Sequence, residues 1–166
     1  MTTNQTATSD DDRTIPMLAL WLGLGGAIPF VGLSGLLLVQ YLGLVDNLGL
    51  PERLFYHLLM SYTALIGSFL GGIRWGIALI HNNDSRLANR LLWVSVIPSL
   101  IAWVALALPR PYDNLVLVGL FLWLVMIDVR LVVRGLAPRW FGSLRIGLSF
   151  IVLASLVVSL VVSRGI

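Results

Sequence analysis

Residues 62–76 read YTALIGSFLGGIRWG. They lie inside an apolar run from Phe55 to Ile80, longer than the roughly 20 residues that cross a membrane. Ala64, Ser68, Gly72 and Gly76 recur at every fourth position, and Gly67 and Gly71 form an adjacent row. At 100° per residue these six small residues cover about half of a helix surface. Ile66, Phe69, Leu70, Ile73 and Ile77 cover most of the other half. Lipid supplies little hydrophobic force between helices, so small residues matter because they let backbones approach. The small face is therefore expected to pack tightly, and the bulky face to meet lipid or large neighbours. A substrate passage along the small face is the alternative.

The rest of the chain fits that setting. Of 166 residues, 58% are hydrophobic and 11% are charged, against about a quarter charged in a soluble domain. Mean hydropathy is +0.92. This balance excludes a soluble globular protein and a disordered chain. Cysteine is absent, which excludes disulfides, thiolate nucleophiles, Cys-ligated zinc, iron–sulfur clusters and c-type haem. All 11 basic residues are arginine, so no Schiff-base or Walker lysine exists. A pI near 10 is read as arginines at membrane boundaries, with no nucleic-acid partner. No catalytic grouping, metal-ligand spacing or cofactor motif is evident.

Five spans are expected: Met17–Leu38, Phe55–Ile80, Leu91–Leu108, Leu115–Val133 and Ile146–Val162. The fold class is thus all-α, a polytopic bundle of five transmembrane helices. Residues 1–15 form a polar tail carrying Asp10, Asp11 and Asp12, expected to be disordered, and residues 16–166 form one membrane domain. The tail lacks the basic start of a cleaved signal. Arg13, Arg86, Arg90, Arg130, Arg134, Arg139 and Arg145 fall on one side, against Arg53, Arg110 and Arg164 on the other. The positive-inside rule then puts the N-terminus in the cytoplasm (or a mitochondrial matrix) and the C-terminus outside. Trp21, Trp93 and Trp140 mark the first interface, and Tyr41, Tyr56 and Tyr112 the second.

Two charges lie inside spans. Arg74 is six residues from the end of the second span, about 9 Å deep, and Asp128 is five from the end of the fourth, about 8 Å deep. Both helices run the same way, so an Arg74–Asp128 ion pair is expected. Independent snorkelling to the headgroups is the alternative. A proton relay is disfavoured because the central bilayer carries no carboxylate.

Pro29 and Pro98 are expected to kink the first and third spans. Glu52, Arg53 and His57 form a polar group after Pro51. His57 and His81 stand about 36 Å apart along one helix and cannot share a metal. In the fourth loop Gly135 ends a helix and Pro138 restarts the chain. There Arg134, Arg139, Trp140 and Arg145 suit contact with anionic lipid or with a partner protein.

Four segments carry a family resemblance: LGGAIPF at 24–30, YTALIGSFLGGIRWG at 62–76, SVIPSLIAWVALALP at 95–109 and APRWFGSLR at 137–145. Together they resemble the domain of unknown function 3429 family (transmembrane protein 69-like) from Pro16 onward. The resemblance implies a multi-span inner-membrane protein in which residues 68–76 and Pro98 matter to the fold. It carries over no catalytic residue.

The function expected from these readings is non-catalytic. An accessory subunit, or an assembly or stabilising factor of a larger membrane complex, comes first. Its partners would be membrane lipids and either other membrane subunits or a second copy. A small transporter or channel with Arg74 beside an anionic substrate comes second. A membrane enzyme acting on lipid or quinone comes third, because the polar residues are dispersed.

Overall fold

The computed structural model describes residues 14–44, 50–80 and 85–164, apart from the side chain of Arg164. The acidic tail through Arg13, together with Asp46, Asn47, His81 and the Arg164 side chain, lies outside the described residues. The helices are α1 (Met17–Tyr41), α2 (Glu52–Ile80), α3 (Ser85–Leu106), α4 (Tyr112–Val133) and α5 (Arg139–Arg164). Each is long and apolar enough to cross a membrane.

A proline stands directly before α1, α2, α4 and α5: Pro16, Pro51, Pro111 and Pro138. Proline has no N–H to leave unpaired there, and its φ already suits the entry to a helix. Its carbonyl is still usable. Pro16 accepts from the Leu20 N–H at 3.0 Å, and Pro111 accepts from Leu115 at 3.1 Å. Two helices end on glycine. Gly43 and Gly135 have φ of +65° and +68°, the left-handed conformation that a Cβ disfavours. After α4 the Gly135 N–H donates to Val132 and the Leu136 N–H to Leu131, which satisfies two terminal carbonyls.

The helices outrun the apolar spans. α3 begins six residues before Leu91, and α5 begins seven before Ile146. Hydropathy marks the part of a helix that lies in hydrocarbon, whereas hydrogen bonding continues through Arg86 and Arg90 in α3 and through Arg139 in α5, where Pro138 stops it. This difference decides where Arg145 sits.

α1 packs on α2 and α5, α3 on α2 and α4, and α4 on α5, so the helices close a ring. α2 also reaches across to α4. Phe30, Leu59, Leu117, Phe121, Leu124 and Leu156 fill the interior. Phe30 stacks at 4.9 Å on Tyr62, whose hydroxyl donates to the Gly26 carbonyl at 2.9 Å.

The small residues of α2 divide into two groups. Ala64, Gly67 and Gly71 are buried. A Cβ on Gly71 would stand 2.5 Å from the Ser95 carbonyl oxygen and 3.2 Å from Pro98 Cγ, so this glycine sets the α2–α3 approach. A Cβ on Gly67 would meet Leu120 of α4 at 3.3 Å. Gly72 and Gly76 instead face outward, with nothing within 4 Å of a Cβ, and Ser68 is half-buried at the edge. Of the six expected to pack helices, these three therefore do not sit in the interior of the bundle. The bundle uses the stripe Ala64–Gly67–Gly71–Arg74–Ala78 and rotates the neighbouring stripe away. Leu70, expected on the bulky face, is buried in the core on the same account. Pro29 and Pro98 each lie within an unbroken helix, and Pro98 is buried against Gly71.

Candidate functional site

Two polar layers cross the apolar bundle. The first lies near the end at which α1 begins. Arg74 is six residues from the end of α2, Asp128 five from the end of α4, and Arg145 six from the start of α5. At 1.5 Å per residue all three lie about 8–9 Å inside that end. Arg74 Nη2 donates to Asp128 Oδ1 at 2.6 Å, and Arg145 Nε donates to Asp128 Oδ2 at 2.8 Å. Arg74 Nη1 also donates to the Leu70 carbonyl at 3.1 Å. Side-chain exposure is 0% for Arg74 and Asp128 and 8% for Arg145. One carboxylate thus joins three helices, taking a guanidinium on each oxygen. Ion pairs with this charge-assisted geometry are the strong ones.

Two guanidiniums against one carboxylate leave a surplus positive charge inside the bundle. Donor capacity is also left over: Arg74 Nε and Arg145 Nη2 are buried and have no hydrogen-bond partner among the described residues. Ser149 Oγ, one turn beyond Arg145, is in the same condition.

Arg145 is the correction. It was expected at the lipid or partner interface, yet it is buried and bonded to Asp128. Counting from Ile146 puts it before the apolar run; counting from Arg139, where the helix starts after Pro138, puts it about 9 Å inside the helix end, level with Arg74 and Asp128. The proline was the signal that would have found it. Arg134 and Arg139 are exposed at that end, and Trp140 is half-buried with its ring 6.3 Å from Phe141.

The second layer lies at the opposite end. Glu52 pairs with Arg110 at 3.2 Å, and the Arg110 guanidinium sits 3.6 Å over the Tyr56 ring. The Tyr56 hydroxyl donates to Asp113 Oδ1 at 2.7 Å. Asn114, fully buried, donates to Ser159 Oγ at 2.6 Å and to the Leu156 carbonyl at 3.1 Å. The layer links α2, the α3–α4 loop, α4 and α5. Tyr56, expected at the lipid interface, is buried here instead. Of the polar group read around Pro51, Glu52 finds Arg110, while Arg53 and His57 remain exposed on the rim of a cavity of about 470 Å³ that Glu52, Arg110 and Asp113 also line. The sequence carries no periodic signal for this layer, because its members come from four separate segments. Among the described residues no group of three metal-ligating side chains forms.

The comparisons agree with this architecture. The chain is 38% identical to transmembrane protein 69 of Xenopus tropicalis over 152 residues, covering 90% of this chain and 56% of the relative. It is 28% identical to transmembrane protein 69 of Mus musculus over 149 residues, covering 90% of this chain and 58% of the relative. It thus spans just over half the length of these curated relatives. No solved structure matches. The family described as "Protein of unknown function (DUF3429)" matches residues 15–161, and this chain of five membrane-spanning helices belongs to that family.

Proposed function

We propose that this chain is a non-catalytic accessory subunit, or an assembly or stabilising factor, of a larger inner-membrane complex. The outward stripe Ser68–Gly72–Gly76 carries the reading. Two glycines open to lipid give up the dispersion contacts that leucine would make there. Small residues four apart are the surface on which another helix approaches closely. Leu65, Phe69 and Trp75 flank the stripe and are exposed, which gives an incoming helix bulky contacts on either side. The ionisable residues of the interior bridge helices of this chain, which also suits a structural role.

The test is the native particle, extracted from its own membrane in two mild detergents. The expected result is a particle larger than this chain that contains other subunits. The Gly72→Leu/Gly76→Leu variant should lose them while its own unfolding is unchanged, since nothing inside the chain lies near either Cβ. A particle holding this chain alone in both detergents would overturn the reading. It would favour the second reading, a small transporter, which rests on a cavity that reaches Arg74.

The same proposal places the arginine-rich end of the bundle in the cytoplasm, by the seven-to-three arginine bias. The chain has no cysteine, so Ser143→Cys, exposed near the start of α5, reports on one side alone. An impermeant maleimide should label it in inverted vesicles and not in intact spheroplasts. The reverse pattern would sink the orientation.

A further inference from the structure

A cavity of about 230 Å³ opens between α3 and α4 at the arginine-rich end. Four arginines line it: Arg74 from α2, Arg90 from α3, Arg130 from α4 and Arg134 just after α4. Among the described residues no carboxylate lines it. Arg90, Arg130 and Arg134 are exposed and form no ion pair among the described residues. Arg74 forms the inner wall, and its one counter-ion, Asp128, is shared with Arg145. The Arg74 side chain is fully buried, and its Nε has no partner among the described residues. A water needs roughly 10–15 Å³ on this measure, so the cavity has room for a polyatomic group.

We infer that this cavity holds the phosphate group of an anionic ligand, clamped among Arg74, Arg90, Arg130 and Arg134. Guanidinium forks match phosphate oxygens bidentately, which is why several arginines around one cavity point to phosphate. The surplus charge of the Arg74–Asp128–Arg145 cluster has the sign such a ligand would neutralise. Two kinds of molecule carry the chemistry: a phospholipid headgroup and free phosphate. The remaining walls favour the lipid. Leu91, Val94, Trp123 and Ile127 are apolar; Leu91 and Ile127 stand level with Arg74, and Val94 and Trp123 lie deeper along α3 and α4, where an acyl chain would run. Arg74 lies about 9 Å inside the helix end, near the border of headgroup and hydrocarbon. Basic pockets between transmembrane helices are established headgroup sites in other proteins.

The experiment titrates the purified 166-residue chain with phosphatidylglycerol or phosphatidylcholine and reads retained lipid by native mass spectrometry. The variant is Arg90→Gln/Arg130→Gln/Arg134→Gln, which leaves the buried cluster intact. Wild type is expected to hold phosphatidylglycerol about tenfold or more tightly than the variant. Phosphatidylcholine, whose choline cation offsets the charge of its phosphate, should distinguish them far less. Excess inorganic phosphate separates the sources. If it leaves phosphatidylglycerol in place, the ligand is the lipid. If it displaces the lipid and by itself raises the unfolding temperature of wild type, the site takes free phosphate. Equal phosphatidylglycerol affinity in wild type and a folded variant overturns the proposal. Should the triple variant not fold, Arg90→Glu alone, at an exposed position on α3, gives the same reading.

Discussion

Asp128→Asn is expected to destabilise the bundle more than any other single polar substitution, by about 3–5 kcal/mol. The change removes one charge and strands two guanidiniums, one of them fully buried. Arg74→Gln should cost less, because Asp128 keeps Arg145. Arg145→Gln should cost least, since Asp128 keeps Arg74 and the lost side chain was already partly exposed. The third charge also alters the usual swap experiment. Arg74→Asp combined with Asp128→Arg restores that pair but sets a new guanidinium against Arg145, so rescue should be partial. Adding Arg145→Gln to the swap should improve it. Replacing all three by apolar residues of similar volume should preserve folding better than Asp128→Asn does, since breaking a buried cluster costs more than removing it whole. Thermal unfolding in one detergent, with the yield of monodisperse protein, reads all of these. An Asp128→Asn protein that unfolds like wild type would show that the cluster does not hold the helices together.

Gly71→Val should disrupt the α2–α3 pair, and Gly72→Val should leave it alone. The two positions are neighbours in sequence and identical in composition. At Gly71 the new Cβ would stand 2.5 Å from a backbone carbonyl oxygen, which cannot rotate away as a side chain would. Overpacking of this kind costs about 1–3 kcal/mol, and more where the obstacle is backbone. At Gly72 nothing lies within 4 Å. A valine added there changes only a lipid-facing surface. Unfolding temperature again reads the difference. Equal effects at the two positions would mean that the stripe facing the bundle interior is the wrong one.

The buried cluster shows how far reading the residues alone could reach. Arg74 and Asp128 stand out because each charge interrupts an apolar run, and their depths match once the spans are counted from either end. Arg145 does not interrupt a run; it precedes one. Its place in the bundle depends on where α5 starts, and that is set by Pro138 rather than by hydropathy. The layer of Tyr56, Arg110, Asp113, Asn114 and Ser159 was less accessible still. Each member is unremarkable in its own segment, and only the ring closure of five helices brings them together.

What the sequence determined by itself is therefore the membrane setting, five helices and those of their ends that a proline or glycine marks. Apolar run length answers the thickness of hydrocarbon, and proline and glycine act on their own backbone, so neither needs a tertiary contact. What only the tertiary structure decided is which side of each helix looks inward. Lipid and protein interior are both apolar, so hydropathy does not distinguish the two faces of α2. Close contact does: Gly71 against Ser95 and Pro98 fixes the rotation of α2. That rotation turns Arg74 to Asp128 and leaves Gly72 and Gly76 facing out.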